Sequence, residues 1–90
     1  MSVKVVIPES FLVASGGIAE VETSGRTVGE CLKAAAEKSP ALHNLWFTPE
    51  GGLSKFVLIF LNGENVPGNN PELAVRDEDE IYPLLVIGGG

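Results

Sequence analysis

The sequence predicts an α+β fold: a mixed sheet of four to five strands with one main helix packed on one face. Three observations carry this expectation. Residues 3–7 and 81–87, near the two ends, are almost continuously apolar and rich in branched side chains, as strands in the middle of a sheet are. Residues 55–61 (Lys-Phe-Val-Leu-Ile-Phe-Leu) give the strongest strand signal and run into Asn62-Gly63, a two-residue turn signal. From Val28, apolar side chains recur at helical spacing: Cys31, Leu32, Ala35 and Ala36.

The elements follow in order. Residues 3–7 form a strand that Pro8 ends, and Phe11 to Ala14 continue apolar up to a turn at Ser15-Gly16-Gly17. Residues 18–23 alternate, with Ile18, Glu20 and Glu22 against Ala19, Val21 and Thr23, as in a strand with one wet face. An antiparallel hairpin around the two glycines is expected. Thr27-Val28-Gly29-Glu30 reads as a capping box, in which the Thr27 hydroxyl accepts from the third helical amide and Glu30 reaches back to the cap amide. Ser39-Pro40 stops that helix, because a residue before proline avoids the helical region. A second short helical segment covers residues 41–47 and carries Leu42, Leu45 and Trp46. After the loop 48–52, the strand 55–61 and the Asn62-Gly63 turn lead to a short strand at Glu64-Asn65-Val66. Residues 67–71 read as loop, 72–75 as one helical or 3-10 turn, 76–80 as an acidic turn, and 81–87 as the last strand. The first and last strands are expected in the centre of the sheet.

Ninety residues make one domain, divided here into a body at 1–87 and a glycine tail at 88–90. So small a domain has little volume for a deep pocket with a catalytic cluster. The net charge of −6, from 12 acidic and 6 basic residues, argues against nucleic acid and anionic membranes as partners. A basic protein partner fits better, although solubility alone also accounts for such a surface. The single cysteine permits neither an internal disulfide nor a multi-cysteine metal cage. Residues 1–8 lack a signal-type apolar run, and no stretch approaches membrane-span length, so a soluble cytoplasmic protein is expected.

The feature that carries chemistry is the ending Ile87-Gly88-Gly89-Gly90. Glycine has no Cβ, so such a tail can enter a narrow channel and lie against another protein's backbone. A carboxylate at Gly90 becomes a good acyl donor once it is converted to a mixed anhydride. A partner enzyme would supply the ATP for that step, and no active site or bound cofactor would be needed here.

The chain resembles the MoaD/ThiS family of sulfur carriers over nearly its whole length. The matching pieces are the opening strand, Gly25-x-Thr27-Val28-Gly29, residues 57–64 (Val-Leu-Ile-Phe-Leu-Asn-Gly-Glu), Leu73-x-x-x-Asp77-x-Asp79-Glu80-Ile81 and Gly89-Gly90. Ile7-Pro8, Gly16-Gly17 and the insert around residues 46–55 are more similar to the longer MoaD-like and cysteine-synthesis carriers than to the thiamine type. The resemblance implies a ubiquitin-like β-grasp fold and a thiocarboxylate cycle. An E1-like enzyme would adenylate Gly90, sulfur would be installed there, and a biosynthetic enzyme would accept it. The acceptor would be a molybdopterin precursor, an activated serine or homoserine on the way to a cysteine- or homocysteine-type metabolite, or another metabolite. Gly89 and Gly90 match the reacting diglycine, with Gly88, Ile87 and Phe60 expected against the partner. The chain departs at residues 84–87 (Leu-Leu-Val-Ile), where a proline-containing stretch is common, the nearest here being Pro83. Two other functions share this outline: a ubiquitin-like modifier joined to target lysines through Gly90, and an interaction module with an inert tail.

The remaining chemistry-bearing residues have plainer readings. Cys31 lies near a helix start, where a dipole lowers a thiol pKa, but its place on the apolar stripe makes it a core residue. His43, the only histidine, cannot form a pair or triad and is read as a surface residue. Trp46 and Phe47 close an edge of the core or anchor a partner. The cluster from Asp77 to Glu80 lacks the ligand spacing of a calcium loop and is read as a solvated turn. Phe56, Leu58, Phe60 and the last strand offer a docking surface if their face is exposed.

Overall fold

The computed structural model describes residues 2–86; Ile87, Gly88, Gly89 and Gly90 lie outside the described residues. Five strands form one mixed sheet: β1 (Val3–Val6), β2 (Glu20–Thr23), β3 (Val57–Leu61), β4 (Glu64–Asn65) and β5 (Glu80–Leu85), in the order β2-β1-β5-β3-β4. The first and last strands are central and parallel, with Lys4 beside Glu80 and Val5 beside Ile81; the other pairs are antiparallel. This is the expected mixed sheet, and its arrangement is that of a ubiquitin-like β-grasp fold.

One face of the sheet makes the core. Val3, Val5, Val21, Val57, Ile59, Ile81 and Pro83 alternate inward along their strands and meet helix α2 (Val28–Ala36). Its buried stripe is the expected one: Val28, Cys31, Leu32, Ala35 and Ala36. Two shorter helices, α1 (Glu9–Ser15) and α3 (Pro40–Trp46), close one side, where Phe11 and Trp46 meet edge to face at 5.7 Å between ring centroids. Among the described residues, no helix is long and apolar enough to cross a membrane.

The start of α2 shows why its sequence is so specific. Thr27 Oγ1 accepts from Glu30 N, while Glu30 Oε1 accepts from Arg26 N, one residue before the cap amide expected for a capping box. The next orphan amides are taken by a neighbouring segment: Val28 N donates to Leu73 O and Gly29 N to Pro71 O. That close approach needs small residues. A Cβ on Gly25 would stand 2.9 Å from Cys31 N, and one on Gly29 would stand 3.0 Å from Pro71 O.

Two expectations are corrected. Val6 and Glu20 are not joined by a tight hairpin; helix α1 intervenes, and Gly16 is its left-handed C-cap (φ 75°). The Gly16 amide donates to Val13 O and the Gly17 amide to Leu12 O, closing the helix end in the manner of a Schellman motif. Residues 72–75 make no helical turn. Glu72 lies in a turn and Ala74 bridges Thr27, while Leu73 O accepts from Val28 N and Val75 N donates to Arg26 O. The 3-10 turn lies earlier, at Pro67–Asn69.

That turn seals one edge of the sheet. Beyond the two residues of β4, Val66 N donates to Ile59 O, and the Asn69 carboxamide replaces a strand, accepting from Ile59 N and donating to Val57 O, each at 2.7 Å. Asn69 holds φ 52°, a left-handed conformation that asparagine tolerates better than most residues.

The packing around Gly25 yields a first prediction. Gly25→Ala forces a methyl into backbone at 2.9 Å and should cost about 1–3 kcal/mol in urea unfolding. A variant as stable as the parent would show that this corner of the fold yields freely.

Candidate functional site

The other face of the sheet has no helix on it, and two different surfaces share it. Register brings Leu58 opposite Leu84 and Phe60 opposite Tyr82, all four pointing away from α2. Tyr82 is 37% exposed, Leu84 36% and Val86 39%, which makes this strip apolar and open where the last strand leaves the body. Phe60, expected against a partner, therefore does stand on an exposed face, half-buried between its neighbours. Phe60, Gly63, Glu80, Tyr82 and Leu84 line a shallow depression of about 320 Å³. Phe56 is exposed and carries Lys55 Nζ 5.4 Å from its ring centroid.

The last strand was expected in this docking surface, but Tyr82, Leu84 and Val86 were not named as its outward residues. The signal was available: they alternate with the buried Ile81 and Pro83. Pro83 itself fits a central strand because it faces Ile59 across a pair without ladder bonds, its nitrogen turned toward β1, which has ended at Val6. Ile87, the last residue of the expected body, and the expected tail residues Gly88, Gly89 and Gly90 follow Val86 in the sequence and lie outside the described residues.

The opposite end of this face is acidic. Ser2, Lys4, Glu22, Asp77, Glu78, Asp79 and Glu80 line a hollow of about 340 Å³. The turn at its rim is highly bonded. Asp79 Oδ1 accepts from Asn62 Nδ2 and Asp79 Oδ2 from Arg76 N, while Asn62 Oδ1 accepts from Glu80 N. Ser2 N donates to Asp77 Oδ1, and Glu78, at φ 70°, donates its amide to Ser2 O. The Asn62 and Arg76 hydrogen bonds hold the Asp79 carboxyl below its ordinary value of 3.8. Among the described residues, no group of three or more histidine, cysteine and carboxylate side chains converges as metal ligands.

Cys31 is buried, and burial pushes its thiol above the ordinary value, against opposing hydrogen bonds from Thr23 and Gly25. It is a core residue, not a nucleophile. His43 is exposed at a helix end beside Phe47, and Trp46 is wholly buried, closing the core rather than anchoring a partner.

The bonding of Asp79 sets the sign of a pH effect. A carboxyl with a lowered pKa in the folded state adds stability above its unfolded pKa, and that stability is lost as pH falls through the folded value. Thermal unfolding should hold steady above about pH 5 and fall progressively in more acidic buffer, less steeply in Asp79→Asn. Identical acid profiles for the two proteins would remove Asp79 from this role.

Comparison with known proteins agrees with this geometry. The family model described as ThiS family matches residues 11–90. The solution structure of small archaeal modifier protein 1 from Methanosarcina acetivorans is 29% identical, with a TM-score of 0.84, covering 99% of this chain and 96% of that one. A chain of the Amycolatopsis orientalis BexX/CysO complex is 28% identical, with a TM-score of 0.80, covering 98% and 99%. Small archaeal modifier protein 1 from Haloferax volcanii, 24% identical with a TM-score of 0.84 over 100% of both chains, shares the fold. No curated protein matches the chain. The chain belongs to the ThiS family and is a small ubiquitin-like protein of the non-catalytic carrier type.

Proposed function

We propose that this protein is a sulfur carrier that works through the carboxylate of Gly90. The observation that carries the reading is the union of ThiS-family membership with an apolar strip, Phe60–Tyr82–Leu84–Val86, leading to the glycines at 88–90. An E1-like partner grips the body by that strip and admits Ile87, Gly88 and Gly89 into its channel, where the absence of side chains on the glycines permits close backbone contact. The partner's ATP adenylates Gly90, releasing pyrophosphate. Hydrosulfide then attacks the acyl carbon, the bond to AMP breaks, and Gly90 becomes a thiocarboxylate with AMP as leaving group. A biosynthetic enzyme takes the sulfur onto a molybdopterin precursor, or onto an activated serine or homoserine, displacing its leaving group, to give a cysteine- or homocysteine-type metabolite. This chain binds no cofactor; the ATP belongs to the partner, and the reactions belong in the cytoplasm.

A second reading has its own support. Two similar structures are named as archaeal modifier proteins, so the same adenylate is proposed to be open to attack by a lysine amine, giving an isopeptide conjugate.

Incubation with an E1-like enzyme, ATP and sulfide should raise the intact mass by the difference between one sulfur and one oxygen. The same spectrum verifies Gly90 as the last residue. Deletion of Gly89-Gly90 should abolish the change with the fold intact. Conjugates in cells that vanish on this deletion, without any thiocarboxylate, would replace the carrier reading with the modifier reading. An unchanged mass together with no conjugates would sink both.

A further inference from the structure

The two edges of the sheet are finished differently. On the β3 side, β4, Val66 and the Asn69 carboxamide occupy the outward backbone groups of Val57 and Ile59. On the other side β2 is the edge. Its register with β1, together with the bond from Ile7 N to Ala19 O, makes Ile7–Ala19, Val5–Val21 and Val3–Thr23 the hydrogen-bonded pairs. Lys4 N donates to Asp79 O, toward β5, as that alternation requires. The backbone groups of Glu20 and Glu22 therefore point away from β1, and among the described residues they have no partner.

The side chains around this open edge are charged with one sign in excess. Glu20 and Glu22 are exposed on the helix-free face, Glu20 within 3.8 Å of Lys4 Nζ. Glu22 also borders the acidic hollow with Asp77, Glu78, Asp79 and Glu80, where Lys4 is the one cation. Short length and charge on an edge strand are ordinary guards against self-pairing, since a second copy would bring its own glutamates opposite these. The same charges favour an extended segment of opposite sign. A strand laid along β2 would take its hydrogen bonds from Glu20 and Glu22, and its alternate side chains would fall on the helix-free face opposite the two carboxylates.

We propose that β2 is a strand-addition site for an extended basic segment of a partner protein. Its lysines or arginines, at every second position, pair with Glu20 and Glu22 and reach into the acidic hollow. This site goes beyond the carrier reading and is separate from it. Both β1 and β5 lie between β2 and β3, so Phe60 and its neighbours on the apolar strip stay free for an activating enzyme while the edge is occupied.

The test uses the full chain, labelled with nitrogen-15, and the blocked peptide Lys-Val-Lys-Val-Lys-Val-Lys. Binding should shift the amide signals of residues 20–24 and slow exchange of the Glu20 and Glu22 amides by at least about tenfold at saturation. Raising salt from about 50 to about 300 mM should weaken binding, because the charges that recruit the peptide are exposed. Glu22→Pro removes one outward N–H that β1 does not use and should abolish binding with the native spectrum retained. The same peptide N-methylated at alternate residues keeps every charge but cannot form the ladder; it should not bind, a result that needs no variant to fold. The proposal is overturned if the unmodified peptide does not bind. It is overturned equally if the N-methylated peptide binds as well, since simple charge attraction would then suffice, or if the shifts fall on the Phe60–Leu84 strip instead.

Discussion

The parallel contact between β1 and β5 is the constraint on which the rest of the structure depends. It joins segments more than seventy residues apart, and nothing local holds them together. The contact is fastened at one end by bonds from Lys4 N to Asp79 O, Ser2 N to Asp77 and Glu78 N to Ser2 O. Asn62 ties the third strand to the same place, bonding Asp79 and Glu80 through its side chain and Glu80 O through its amide. One tight turn thus sets the register of β1, β3 and β5 together. A one-residue slip of β5 would turn Ile81 and Pro83 outward and bury Tyr82 and Leu84, so the core and the exposed strip are fixed by the same bonds.

From this follows the division of labour between the two faces. The inner face is occupied by α2, Phe11 and Trp46. The outer face is graded along β5, from Glu80 beside the acidic hollow, through Tyr82 and Leu84, to Val86. A partner that reads this gradient is oriented before it touches the tail. An acidic surface increases the encounter rate with a basic partner, while the apolar strip supplies contact area once solvent is excluded. No residue of the body needs to be reactive, which agrees with a Cys31 whose thiol is buried and held protonated.

Much of this was legible in the sequence wherever local and long-range requirements agree. The Thr27–Glu30 cap, the stripe from Val28 to Ala36, the strand ending in Asn62-Gly63 and the central places of the two terminal strands were all readable. Helix α1 was not, because Phe11-Leu12-Val13-Ala14 is an unbroken apolar run that fits a strand as well as a buried helix. Its C-cap glycines served equally well as a hairpin signal. Residues 72–75 misled because their path is set by backbone bonds to Val28 N and Arg26 O, not by their own side chains. Asn69 as a substitute strand leaves no sequence signature. At the site, Phe60 was identified, but its exposure depends on register across β5, and so does the membership of Tyr82 and Leu84 in the same strip. The tail was legible only as composition, and its three glycines lie outside the described part of the chain.

The central claim is that the body, not the glycines alone, makes this tail a substrate. It is tested most directly by comparing the full chain with a synthetic peptide of residues 81–90 as substrates of the same activating enzyme. The measured quantity is kcat/KM for adenylation. If the outer face supplies docking, the peptide should be poorer by at least about a hundredfold, the equivalent of roughly 2.7 kcal/mol of lost contact. Equal values for peptide and protein would contradict the account, leaving the sheet as no more than a soluble carrier for its own last residues.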